Sequence, residues 1–371
     1  MVQQNNFVDL KNGEQKKSKI LPKIFRVLIK MNIIPLHWNI SENQLSFKFI
    51  SRSFALYYMY YFVLSLNVFV FAFKFGFSKL KEFWENLIFE ENITDLLTFL
   101  AFNIFGVSVP NIFPIFCKNM TRISTDIVMN KMLSWPNHGY KIILMSFLNN
   151  LALNVYTYLF NLLTLDTDIA TIAWLIPGLF LMLLFFQLLQ TVMYLFILTW
   201  LDHFSKICKD ADSETVIEHT QKCQTYYKSL QDGLGTTFLI YILILQLMLV
   251  INWYMAISSI FFGTYNIWYN VIISICYLLM ALYSSTILYS VTTAAEMSYM
   301  ALQNMIIPLE KLLKMKQNSE EYLDIKLLIR EIERTPPLNG NGYFDLKKAT
   351  ITSIISTSVT YLVILLQFRT S

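Results

Sequence analysis

Between Asp232 and Glu296 the chain carries no charged residue. Water offers no stable home to so long an uncharged, apolar run, whereas a bilayer does. The hydrocarbon core is about 30 Å thick and a helix rises about 1.5 Å per residue, so about 20 apolar residues cross it. Seven stretches meet that length, spanning roughly 53–73, 96–117, 142–163, 170–200, 234–262, 265–290 and 346–368. None holds Asp, Glu, Lys, Arg or His in its core. Lipid leaves backbone polar groups no water to bind, so segments this long cross as helices rather than as barrel strands. Composition agrees: 55% of residues are hydrophobic and 15% charged, against about 25% charged in soluble chains. The expected fold class is an all-α membrane protein with seven transmembrane helices.

Charge placement orients those helices. Of the 29 Lys and Arg, 25 fall on the N-terminal segment and the loops after the second, fourth and sixth helices, and 4 on the other side. Basic residues stay on the inner side of a membrane. The N-terminus is therefore expected in the cytoplasm and the C-terminus outside, opposite to a G-protein-coupled receptor. Cys117, Cys208 and Cys223 lie at or inside the cytoplasmic face and Cys276 within the sixth helix, so no extracellular disulfide is expected. The first 30 residues are polar and basic ("KNGEQKKSKILPK") and lack the pattern of a cleavable signal. Of three glycosylation sequons, at Asn39, Asn92 and Asn119, only Asn92 lies on the predicted outer side.

Four regions follow: a cytoplasmic segment 1–52, transmembrane helices 1 to 6 over 53–290, a cytoplasmic region 291–345, and a seventh helix within 346–371. In the first, "LPKIFRVLIKMNIIPL" sets Leu21, Phe25, Leu28 and Ile29 opposite Lys23, Arg26 and Lys30. Such a helix either lies on the inner membrane surface or packs on the protein's own cytoplasmic side. The linkers 201–233 and 291–345 carry helical patterns of their own. Met300, Met305, Leu309, Leu312 and Leu313 keep helical spacing, and Tyr322, Ile325, Leu328, Ile329 and Ile332 repeat it. Intramolecular bundling or subunit assembly would bury these stripes. "RTPPLNGNGYFDL" then supplies two prolines and two Asn-Gly steps, a helix stop and a tight turn. No internal repeat is visible, which disfavours the paired halves of many transporters.

Residue types that carry reaction chemistry are sparse. His37, His138, His203 and His219 have no ligand spacing to one another or to cysteine, and a solvated loop is expected around His203, Cys208, His219 and Cys223. No phosphate-cradling glycine loop, nucleophile elbow or intramembrane acid pair occurs. Neither an enzyme, a bound metal, a cofactor nor nucleic-acid binding is expected.

The seventh segment differs from the others in its hydroxyls. In "KKATITSIISTSVTYLVILLQF", Ser353, Thr357, Thr360, Ile364, Gln367 and Phe368 fall within about one 100° sector of a helix. One face thus changes from small and polar to Ile, Gln and Phe. Close helix packing accounts for Ser and Thr, yet it needs no amide in the last turn. Copies arranged around an axis would give rings of hydroxyls, an apolar constriction and a ring of amides, as in a gated pore.

"TYLVILLQF", residues 360–368, resembles the insect gustatory receptor signature of Thr-Tyr, five hydrophobic residues and Gln-Phe. "NGNGYFDLKKATITSII" is similar to that family's lead-in to its last helix, with Tyr343 and Asp345 in place of commoner residues. What the resemblance implies is a ligand-gated, non-selective cation channel related to insect odorant receptors, a tetramer in the plasma membrane with Na, K and Ca as permeant ions. Four copies of the last helix would line a central pore, with Gln367 and Phe368 as outer constriction and Ile364 one turn below. The cytoplasmic ends of helices 4 to 6 would hold the subunits together, as a homotetramer or a heteromer with related subunits.

The resemblance also implies a tastant pocket in the outer half of helices 2 to 6. Neutral polar and aromatic residues at that depth are Asn103, Asn154, Tyr158, Asn161, Trp174, Asn252, Trp253, Tyr254, Trp268 and Tyr269, the residue types that line small-molecule sites. "NWY" at 252–254 pairs aromatic faces with an amide. The absence of intramembrane charge favours a small neutral tastant, a bitter plant compound ahead of a sugar. Competing readings are a metabotropic seven-helix receptor, a secondary transporter and a non-conducting subunit.

Overall fold

The structure, a computed structural model, describes residues 35, 37–39, 44–48, 50–71, 109–119, 121, 169–209, 216–262, 267–317 and 321–370. The basic helical pattern at 21–30, the third apolar segment, most of the second and the sequon at Asn92 lie outside these residues.

The described chain opens with a feature that local periodicity does not announce, a two-stranded antiparallel ribbon of β1 (His37–Asn39) and β2 (Gln44–Ser46), in which His37 pairs with Ser46. Helix α1 (Arg52–Phe71) follows. Ser51 caps it, its Oγ accepting the Phe54 N–H at 3.2 Å and donating to Lys48 O at 2.9 Å, which satisfies one of the orphan donors of the first turn. Residues 109–119 form α2, packed beside α1 through Tyr57 and Phe113, whose rings lie 6.1 Å apart.

Three long helices make the body: α3 (Ile169–Ile207), α4 (Val216–Phe262) and α5 (Ile267–Gln303). At about 1.5 Å per residue α4 is about 70 Å long, more than twice the hydrocarbon thickness. Its N-terminal part therefore projects beyond the membrane, and α3 and α5 project with it to form a polar end. Trp200, Phe204, Tyr227, Leu230 and Phe238 are fully buried where the three meet. The boundary expected at 290 falls inside α5, which continues to Gln303 without a break.

At the polar end α6 (Ile306–Met315) and α7 (Glu321–Arg334) pack on each other and on α4. The two hydrophobic stripes close on this arrangement: Met305, Leu309, Ile325, Leu328, Ile329 and Ile332 are buried within the one chain, while Met300 stays exposed. Intramolecular bundling accounts for most of both stripes. Gln303, the last residue of α5, ties α7 to that helix, its Nε2 donating to Ile332 O at 2.9 Å. The last helix, α8 (Lys348–Thr370), packs along α4 and α5.

Among the described residues three helical stretches are long and apolar enough to cross a membrane: Val216–Phe261 in α4, Asn270–Met315 in α5 and on through α6, and Lys348–Gln367 in α8. The most apolar stretch is 61% buried in the first and only 11% in the last. An apolar helix so little covered by its own chain must meet lipid or another copy.

The last helix, its lead-in and the candidate ligand site

The lead-in to α8 is built by an Asn-Gly turn. Asn341 and Gly342 both have positive φ, 51° and 81°, and Tyr343 N–H returns to Gly340 O at 3.0 Å. That is the pattern of a type I′ hairpin turn, for which Asn-Gly is the preferred pair. Leu346 N–H closes on Leu338 O at 2.7 Å, and Asn339 pairs with Asp345. Gly340 is required for a different reason: a Cβ there would lie 2.7 Å from the Phe344 ring and 3.1 Å from Leu239 Cα.

Hydrogen bonds fasten this turn to α4 and α5. Gln231 on α4 accepts the Asn339 N–H on Oε1 at 2.9 Å and donates from Nε2 to Asn339 O at 3.1 Å and Asn339 Oδ1 at 3.0 Å. Asn341 Nδ2 donates to Thr236 Oγ1 at 3.0 Å, and Tyr227 Oη to Pro336 O at 3.3 Å. From α5, Glu296 Oε2 accepts the Lys348 N–H at 3.1 Å, placing a carboxylate on the positive N-terminus of α8.

Along α8, Ile354 and Ser358 turn inward and are buried. Ser353, Thr360, Ile364 and Gln367 are exposed and Thr357 is half-buried, so the polar-to-apolar face looks away from the rest of the chain. Phe368 lies within the helix bounds, and its side chain lies outside the described residues. Thr357 donates its hydroxyl proton to Ser353 O at 2.9 Å and Thr360 to Ser356 O at 3.0 Å. With the proton held by the helix's own backbone, each hydroxyl turns only lone pairs outward.

Of the candidate ligand residues, Asn103, Asn154, Tyr158 and Asn161 lie outside the described residues, as do the side chains of Trp174 and Tyr269. Asn252 and Tyr254 are buried on α4, Trp253 is half-buried, and Trp268 at the start of α5 is 74% exposed. Tyr254 is 0% exposed, and its hydroxyl has no hydrogen-bond partner among the described residues. Ser274 on α5 donates to Ala256 O at 2.8 Å, which brings α5 against α4 near Tyr254. Buried Ser258, Asn270 and Ser274 were not among the sequence candidates, although neutral polar residues inside apolar runs were the available signal.

The segment around Cys208 and Cys223 is not a solvated loop. Both thiols are buried, because α4 begins at Val216 and packs this region against α3. His219 Nε2 lies 3.0 Å from Ile207 O and 3.7 Å from Cys223 Sγ. The bond shared with Cys223, then burial, holds the Cys208 thiol far above its ordinary range, and the same bond draws Cys223 down. Among the described residues no group of three His, Cys, Asp or Glu is placed to hold a metal ion. A cavity of about 270 Å³, lined by Gln224, Tyr227, Lys228 and Arg334 among others, opens at the polar end, far along α4 from Tyr254.

This helical arrangement is similar to the fold of solved insect olfactory receptor structures. The structure of the insect olfactory receptor OR5 from Machilis hrabei in complex with eugenol shares it with a TM-score of 0.58, at 13% identity, over 98% of this chain and 100% of that one. A second OR5 structure gives 0.58 at 14% identity over 93% and 97%. No protein-family model and no curated protein matches the chain. At such identities what is shared is the fold.

Proposed function

We propose that the chain is a gustatory receptor subunit that assembles, as a homotetramer or with related subunits, into a cation channel gated by a small neutral tastant. The observation that carries this reading is the full-length likeness to an olfactory receptor fold, joined to the C-terminal "TYLVILLQF". The sparse burial of α8 supports it, since a helix so little covered by its own chain is suited to an axis shared with other copies. Outward lone pairs at Thr357 and Thr360 suit a partly dehydrated cation rather than an anion. In this arrangement the polar end is cytoplasmic, Gln367 and Phe368 form the outer constriction and Ile364 lies one turn below.

The ligand site in this reading includes Asn252, Trp253 and Tyr254, with the other outer-half candidates around them. Among the described residues Tyr254 finds no partner for its buried hydroxyl, and a neutral plant compound with a hydroxyl or carbonyl would satisfy it. OR5 was solved with eugenol, a reason to include that compound among the probes. The ligand must favour the open state over the closed one in order to gate.

Whole-cell recording from cells expressing this chain alone, with eugenol, caffeine, sucrose and fructose applied in turn and no G-protein component added, tests the reading. A fast, probe-evoked, non-selective cation current is expected. A surface-expressed chain that binds a probe and passes no current overturns it as a homomeric channel.

A further inference from the structure

The start of α8 is held by two helices at once. Gln231 spends its whole amide on Asn339, accepting one hydrogen bond and donating two, while Glu296 on α5 accepts the first N–H of α8. Gln231 and Tyr254 belong to one uninterrupted helix, and the intervening rise is about 35 Å at 1.5 Å per residue. Glu296 likewise shares α5 with Asn270 and Ser274. The lead-in is thus fastened separately to the two helices that meet around Tyr254. It has little freedom to absorb a mismatch, because its turn is an Asn-Gly pair at positive φ and Gly340 is pressed between Phe344 and Leu239.

We propose that the Gln231–Asn339 and Glu296–Lys348 joints are the transmission element that turns displacement of α4 against α5 into movement of α8. The inference rests on the channel reading. Sliding or rotation of α4 at Tyr254 is carried along the unbroken helix to Gln231, and the start of α8, tethered to α5 by Glu296, then turns. Gln231 and Glu296 act here as positioning residues that touch neither ligand nor ion.

The test uses the full chain, with the four compounds above as probes. Gln231→Met removes all three bonds at similar volume, Glu296→Ala removes the other joint, and Glu296→Gln keeps an acceptor oxygen. Gln231→Met and Glu296→Ala are expected to reach the surface and to bind the probe as the parent chain does, read by thermal shift. They should need about five- to a hundredfold more probe for half-maximal current, the range of ordinary coupling. Glu296→Gln should behave as the parent chain. Hydrogen exchange across 336–348 should rise in Gln231→Met.

Unchanged exchange overturns the joint itself. Raised exchange with the parental dose–response overturns the transmission role and leaves the channel reading intact, whereas weakened probe binding in step with the current marks general damage and also overturns it. A parent chain that binds a probe and passes no current overturns the homomeric channel, and this inference with it.

Discussion

Tyr57 donates its hydroxyl proton to Pro110 O across 2.9 Å, between α1 and α2. The residue four positions after Pro110 is Pro114, which has no N–H to give, so the helix cannot satisfy that carbonyl itself. Tyr57, fully buried, supplies the missing donor. Tyr57→Phe should therefore destabilise the detergent-solubilised chain by about 1–3 kcal/mol, the cost of a buried orphan acceptor. Pro114→Ala restores an N–H, and the double variant should recover part of the loss. Strict additivity in thermal melting would refute this account.

Three glycines near the lead-in should respond differently to alanine. At Gly340 the new methyl meets a ring and a backbone atom, and about 1–3 kcal/mol of overpacking is expected. Gly235→Ala meets the tip of Asn341 at 2.6 Å, which can swing away, and a helix-propensity gain of about 1 kcal/mol offsets the loss. Gly342→Ala has open space but a φ of 81°, costing about 1–2 kcal/mol of left-handed strain. Melting temperatures in the order Gly235→Ala, Gly342→Ala, Gly340→Ala, highest first, would bear this out.

Alkali should loosen the polar end. Burial pushes the Tyr226 and Tyr227 phenols above their ordinary value. The folded state keeps those protons after the unfolded chain has lost them. Stability is then full below about pH 10 and falls above it, by about 1.4 kcal/mol per pH unit for each phenol. Tyr226→Phe should remove one such contribution between pH 10 and 12 and cost nothing at pH 7, since its hydroxyl has no partner among the described residues. Tyr227→Phe should cost about 1 kcal/mol at pH 7 through the lost bond to Pro336 O.

Tyr254→Phe separates a ligand contact from a structural one. Deleting a buried hydroxyl that bonds nothing among the described residues should leave melting unchanged or higher. If that hydroxyl meets the tastant, half-maximal probe concentration should rise about tenfold, equivalent to one hydrogen bond. An unchanged dose–response takes Tyr254 out of the ligand site.

Gln367→Ala and Gln367→Glu should alter permeability ratios or gating while leaving surface expression intact, because the residue is exposed near the end of α8. Relative permeability to Ca and Na, from reversal potentials, is the readout. Parental permeation and gating in both variants would remove Gln367 from the pore.

Sequence periodicity places the ends of α8, the C-terminal end of α4 and the start of α5 well, because apolar runs of membrane length are a strong signal. It missed the extent of α4. The polar stretch from Val216 to Asp232 reads as a linker only because its composition changes, whereas the helix continues through it. The Asn-Gly turn was legible as local chemistry, yet its anchor was not: Gln231 and Asn339 are 108 residues apart, and nothing local marks a glutamine that will clamp a distant backbone. The hydroxyl-rich face of α8 was visible, while the backward bonds of Thr357 and Thr360 needed coordinates. Strands β1 and β2, of three residues each, are too short to stand out in a periodicity reading.

Asn119 belongs to a glycosylation sequon, and its Nδ2 donates to Gly233 O at 2.6 Å. That nitrogen is the atom to which an oligosaccharide would be joined. A sugar there would break the contact between α2 and the middle of α4 and would demand space at a half-buried position. In the proposed orientation, which keeps Asn119 on the cytoplasmic side, chains threaded the wrong way through the translocation machinery would expose Asn119 to the glycosylating enzyme before folding, whereas correctly threaded ones would not. A mobility shift removable by glycosidase at this single asparagine would therefore count misinserted molecules, giving a biosynthetic quality readout that needs neither a ligand nor a current.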